Sequence, residues 1–192
     1  IKAAQREEAE ARREAREAEE LQPIWIPQGE RVVNLAVEPD ERYAILQAVR
    51  PTRDSRGVMV PAWVTESGYT EPLNVRSHVG DAQSVTRLAL LDLADGELSW
   101  LELWPDDVDV PEGPYDGQLS SAFFAGWNRA GTLGIIVATS YDFKNRWVRI
   151  LDARTGELTT VAADRDEAWI AGPCGWGCVG WMPDDESIYF SS

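Results

Sequence analysis

The chain has 192 residues, is 44% hydrophobic and carries nine tryptophans, enough apolar material to bury a real core. Its 33 acidic residues against 18 basic ones give a formal charge of −15, which repels nucleic-acid phosphates and anionic lipid and argues against either as a partner. No apolar run approaches the roughly 20 residues of a bilayer-spanning helix, and two cysteines are too few for a disulfide scaffold or a four-ligand zinc site.

Residues 1–22 differ in kind from the rest. The run IKAAQREEAEARREAREAEEL is almost all Ala, Glu, Arg and Gln, a strong helix composition. Glu8 and Arg12 form an i,i+4 pair in the favourable orientation, and Arg13 and Glu17 one in the weaker orientation. No apolar stripe is wide enough to bury, so a solvated, charged helix is predicted, either a passive leader or a docking arm. No apolar signal-peptide segment precedes a small-residue cleavage site, though a chain that begins at Ile1 leaves room for one upstream. Pro23 and Pro27 mark the boundary with the folded part, 23–192.

From there the pattern is short strands separated by Asp, Gly and Pro. RYAILQAV (42–49) is the first, followed by an irregular stretch, 55–84, that holds Trp63, Tyr69 and the lone histidine, His78. RLALLDL (87–93) and GELSWLEL (96–103) come next, then GTLGIIVATS (131–140), RWVRILDA (146–153), GELTTVAA (156–163) and SIYFSS (187–192). Two of the junctions are near twins, LDLADGEL (91–98) and LDARTGEL (151–158). In each, an apolar strand ends at Asp92 or Asp152, a short turn closes on Gly96 or Gly156, and a partner strand returns. That is a β-hairpin. Gly accepts the positive φ of the turn, and Asp binds nearby backbone amides, so geometry explains these residues before chemistry is needed.

A second signal recurs as a polar corner ahead of an apolar strand: VEPDERYAIL (37–46), WNRAGTLGII (127–136) and WMPDDESIYF (181–190). The first unit matches the second, about 115–165, with 55–84 inserted between its strands. Repeats of four antiparallel strands and a corner predict β-propeller blades. About two and a half four-stranded blades are present, the third stopping at Ser192, whereas propellers close with roughly 4 to 8. The expectation is an all-β partial propeller, a piece of something longer. Its open strand edges would favour edge-to-edge association, hence a homo-oligomer, if it were isolated.

The order WIPQGERVVNLAVEPDERYAILQ, VPAWVTESGYTEPLNVRSHVGDAQ, RLALLDLADGEL, AWIAGPCGWGCVGWMPDDESIYFSS resembles the N-terminal β-propeller of prolyl oligopeptidase family serine peptidases, in particular the bacterial dipeptidyl peptidase IV-like branch. The resemblance covers about residues 23–192. Its most specific parts are VTESGYTE…VRSHVGDAQ and GWMPDDESIYFSS, since Asp-Gly turns are common to many propellers. It implies a propeller that covers an α/β-hydrolase domain of the same polypeptide and admits only short peptide substrates. The nucleophile, acid and base would lie in that hydrolase domain.

The residues themselves carry no catalytic set. No G-x-S-x-G elbow occurs. His78 precedes any such site, and the base of an α/β-hydrolase follows its nucleophile, so His78 reads as an insertion-loop residue. No phosphate-binding glycine loop and no metal-ligand cluster occurs, so neither a cofactor nor a metal is implied. Asp184, Asp185 and Glu186 read as turn chemistry because they recur at equivalent corners. In CGWGC (174–178), Cys174 and Cys178 are close enough for a disulfide, the better reading if the protein is exported; in a cytosol they would be reduced thiols. The compartment stays open, leaning exported. Trp127 and Trp181 are expected to fill the space between blades and to donate their indole N–H to backbone. Trp63 and Tyr69, in the insertion, are the residues placed to touch a substrate or the hydrolase domain.

Two other functions fit the same corners and hairpins. One is a non-enzymatic binding or scaffold propeller. The other is a quinone-cofactor dehydrogenase propeller, suggested by LDARTGEL, against which no Trp follows Gly156 to pack the next blade.

Overall fold

The computed structural model describes residues 23–52, 57–77, 81–110, 117–170 and 178–191. Segment 1–22, His78 and Cys174 lie outside these. Among the described residues the chain is all-β, with every strand pairing antiparallel and no helix.

The first blade contains β1 (Arg31–Val37) and β2 (Tyr43–Arg50); β3 (Gly57–Ala62) and β4 (Glu71–Ser77) follow; then β5 (Val85–Asp92) and β6 (Leu98–Trp100) complete the blade. Its spatial order is β1-β2-β5-β6. The stretch 55–84, expected to be irregular, instead holds a two-stranded sheet, β3 against β4, with Ala62 opposite Glu71. Alternation is masked there because apolar residues fall on both faces and both stay in solvent: Met59 is 64% exposed and Leu73 52%. The second blade is β7 (Leu119–Trp127), β8 (Leu133–Ser140), β9 (Asn145–Asp152) and β10 (Leu158–Arg165), a four-stranded meander. A third begins with β11 (Val179–Trp181) and β12 (Ile188–Phe190). Sequence reading had no strand at β1, β7 or β11. Each is the blade's first strand and carries Asn, Ser or Gly among its apolar residues.

The twin hairpins are one structure made twice. Asp92 N–H donates to the Glu97 carbonyl and Asp152 N–H to the Glu157 carbonyl, each at 2.9 Å. Gly96 and Gly156 have φ of 74° and 73°, the left-handed region that Gly enters without a Cβ clash. The carboxylates close the turns from below: Asp92 accepts from Ala94 N–H, and Asp152 from Arg154 and Thr155 N–H.

Two apolar layers hold the blades together. Between the first and second, Ile45, Leu88 and Leu90 meet Ile136, Trp147 and Leu151. Trp104, on the connector leaving β6, stands edge-on to Trp147 with ring centroids 4.8 Å apart, and its indole N–H reaches the Val108 carbonyl. Between the second and third, Val137, Ile135 and Val148 meet Val179, Trp181 and Ile188. The middle strands β8 and β9 are apolar on both faces because a neighbour covers each face. Trp127 donates its indole N–H to the Ala36 carbonyl at 3.0 Å, and Trp181 does the same to the Gly126 carbonyl at 3.2 Å. Ala36 and Gly126 hold the same register position, opposite Ile45 and Ile135. The expected packing role of this pair is therefore observed, one blade stapled to the one before it.

Candidate functional site

A cleft of about 600 Å³ opens between the first two blades and is lined by the β5–β6 hairpin, the connector after β6 and the β9–β10 turn. Its rim is acidic, with Asp92, Glu97, Glu102, Asp106 and Glu157 facing it alongside Arg149 and Arg154. The hairpin turns put Asp92 and Glu157 there, since each sits at a strand end beside its turn.

Asp92 is held by Arg42, whose guanidinium nitrogen lies 2.6 Å from its carboxylate. Burial pushes the Asp92 carboxyl up, but the Ala94 N–H and the Arg42 side chain outweigh it and hold the group below the usual carboxylate range. Arg149 is only 7% exposed. It donates to two backbone carbonyls, Glu102 from the first blade and Leu158 from the second, each at 2.9 Å. Its Nε–H is buried with no hydrogen-bond partner among the described residues. Burial lowers the Arg149 pKa, against the opposing pull of Asp106, Asp107 and Glu102. The guanidinium thus acts as a clamp across the blade junction, its charge compensated by carboxylates that it does not touch directly.

Sequence reading missed Arg149, yet the signal was there. In β9 the residues Trp147, Arg149 and Leu151 share one face, and an arginine in the middle of a buried apolar row needs internal acceptors.

The other predicted residues do not converge on this cleft. Trp63 and Tyr69 stand in the loop joining β3 to β4, 77% and 79% exposed. The loop is braced by Thr65, whose hydroxyl donates to the Tyr69 carbonyl, and by Ser67, whose hydroxyl donates to Glu71. Cys178 is disulfide-bonded, and its carbonyl accepts the Ser191 N–H at 3.0 Å; Cys174 lies outside the described residues, as does His78. Asp184 fills the turn role expected of it, accepting from Glu186 and Ser187 N–H. Asp185 does something different: its carboxylate accepts N–H groups of Arg129 and Ala130, in the corner of the preceding blade.

One carboxylate–hydroxyl pair has the look of chemistry, Ser140 Oγ at 2.6 Å from Asp142 Oδ1. The same hydroxyl accepts the Asn145 N–H at 2.9 Å and is buried, while the Asp142 carboxylate accepts the Lys144 N–H. It is a clamp on the β8–β9 turn. Among the described residues no hydroxyl or thiol is paired with a histidine, and no three His, Cys, Asp or Glu side chains could hold a metal. Within the cleft, Arg149 ties the two blades together through the Glu102 and Leu158 carbonyls.

No family model and no curated protein matches the chain. Among solved structures, it is similar to a protein described as a dipeptidyl aminopeptidase IV from Bacteroides ovatus, at 12% identity over 76% of this chain and 21% of that one, with a TM-score of 0.47. It is also similar to Porphyromonas gingivalis dipeptidyl peptidase 4, at 9% identity over 70% of this chain and 18% of that one, with a TM-score of 0.45. The chain spans about a fifth of the length of these structures. With both TM-scores below 0.5, the all-β, bladed architecture rests on the strand pairing itself.

Proposed function

We propose that this chain is the propeller portion of a serine peptidase of the prolyl oligopeptidase family, in the dipeptidyl peptidase IV-like branch, gating access to an α/β-hydrolase domain carried by the same polypeptide. The observation that supports this reading is the pair of segments VTESGYTE…VRSHVGDAQ and GWMPDDESIYFSS, of which residues 64–77 fall on the inserted β3–β4 hairpin and 180–191 on the β11–β12 corner of a bladed all-β chain. In this role the blades hydrolyse nothing. They exclude folded proteins and admit short peptides, and the exposed Trp63 and Tyr69 are the side chains free to meet peptide or hydrolase domain. Homo-oligomer formation belongs to the same proposal, through strand edges and the exposed hairpin.

The test is to assay the full-length gene product and the 192-residue chain with proline-containing dipeptide chromogenic substrates. Turnover abolished by a serine-directed inhibitor is expected from the first, and none from the second, whose sequence carries no G-x-S-x-G elbow. Inhibitor-sensitive turnover by the 192-residue chain, or none by the full product, would overturn it.

A further inference from the structure

The β3–β4 hairpin is a sheet of two strands that pair only with each other, so each strand has a bare edge. It is also apolar and in solvent. Val58, Val60, Leu73 and Val75 share one face, the last three 42%, 52% and 42% exposed, and β3 carries no charged residue. An uncharged, apolar strand with an open edge is a template on which another chain can add a strand of its own.

Proline decides what these edges offer. Among the described strands, β3 and β4 alone contain proline, and Pro61 lies directly opposite Pro72. In an antiparallel ladder the facing pairs alternate between those that exchange hydrogen bonds and those that do not. Neither proline has an N–H, so theirs is a pair that exchanges none, and the bonds fall to Val60 with Leu73 and to Ala62 with Glu71 on either side. The backbone of Pro61 and Pro72 therefore points away from the partner strand, as does that of Met59 and Asn74, two residues along.

At an outward position proline costs the hairpin no hydrogen bond of its own. It removes instead the N–H that an incoming strand needs, one from each edge, and leaves its ring in the way. The register shift between Gly57 and Val58 interrupts the ladder at the other end. Between proline and bulge, each edge keeps a single regular outward residue, Met59 on β3 and Asn74 on β4.

We infer that the facing prolines are a guard against strand addition, closing both edges of β3–β4 so that an apolar hairpin can stand in solvent without pairing with another chain. The inference rests on neither the propeller nor the peptidase reading. It narrows the self-association proposed above, in which the hairpin can take part through a face but not by adding strands.

The test compares the full-length gene product with its Pro61→Thr/Pro72→Thr variant, in which both outward N–H groups return. Light scattering over a concentration series follows association, and residue-resolved amide exchange follows the edges. In the wild type the Met59 and Asn74 amides should exchange fast at every concentration. In the variant, association should rise several-fold, and the amides at positions 59 and 61 or 72 and 74 should gain protection with it. Adding Met59→Pro and Asn74→Pro to the variant returns a proline to an outward position of each edge and should restore wild-type behaviour, which a change in hairpin stability alone would not do. Slow exchange at Met59 and Asn74 in the wild type, a variant that neither associates nor gains protection, or moved prolines that fail to restore solubility would each overturn the inference.

Discussion

Blades one and two share a plan and differ in what covers them. Arg87 and Trp147 occupy the same register position, opposite Ala48 and Ala138. Trp147 is 1% exposed against Trp104, whereas Arg87 lies over the Trp100 ring at 3.9 Å and reaches Glu30 at 3.3 Å. Likewise β1 is open where β7 is covered. The difference lies in the outer positions, because the inner strands of the first blade are buried on both faces: Leu46 and Leu91 are 4% and 2% exposed on the side that no described blade covers, as Ile45 and Leu88 are buried on the other.

The comparison is sharpened first by truncating the two matched residues. Trp147→Ala removes the largest fully buried side chain from the inter-blade layer and should destabilise the chain by about 3–5 kcal/mol. Arg87→Ala removes the cation from a Glu30 carboxylate whose side chain is only 2% exposed, and should cost about 1–3 kcal/mol, less than Trp147→Ala. Urea unfolding of both variants measures the contrast, and equal effects would mean that the β1 face is as buried as the β7 face.

Gly131→Ala should come next, at about 2–3 kcal/mol, because it adds left-handed strain to a clash with Glu38. Combining it with Glu38→Ala should recover part of the loss, a coupling that a double-mutant cycle reads directly.

The hairpins and corners were legible in the sequence because they are local. Asp92 with Gly96, and Asp152 with Gly156, specify a turn within a few residues, and each copy vouches for the other. Trp127 and Trp181 were legible for the same reason, since their spacing repeats. Glu38 and Arg149 were not, because their partners are backbone groups brought in by strand pairing or by another blade. Asp185 was half legible: its turn position is local, but its acceptor role depends on the corner 55 and 56 residues earlier. The strands β3 and β4 were hidden because neither face is buried, so no alternation marks them.

Glu38 gives the first corner a pH dependence. Burial pushes the Glu38 carboxyl up, but the N–H groups of Asp40, Arg42 and Tyr43 outweigh it, so its folded pKa lies below the ordinary value. The unfolded chain then takes up the proton more readily. The stabilisation is whole above the ordinary glutamate pKa and is lost as pH falls through the lowered folded value. Glu38→Gln should cost about 1–3 kcal/mol at neutral pH, and the gap from wild type should close progressively in acid. Asp92, Asp142 and Asp184 are lowered as well, so wild type itself weakens there. The gap between the two proteins, followed by urea titration across pH, isolates the Glu38 contribution.

The smallest expected effect tests the central contrast most directly. Leu35 and Phe124 hold matched positions, and Phe124 stands edge-on to Trp127 with centroids 4.8 Å apart. Phe124→Thr removes that contact from a junction that is closed, and should cost about 1–3 kcal/mol. Leu35→Thr changes a side chain that is half in solvent and keeps good strand propensity, so the 192-residue chain should change by no more than about 0.5 kcal/mol. The two values together report coverage, because the substituted positions hold the same register in equivalent first strands and differ in whether a blade lies against them. If Leu35→Thr costs as much as Phe124→Thr, a segment of this same chain already covers β1, and burial of a blade face no longer depends on the adjoining blade.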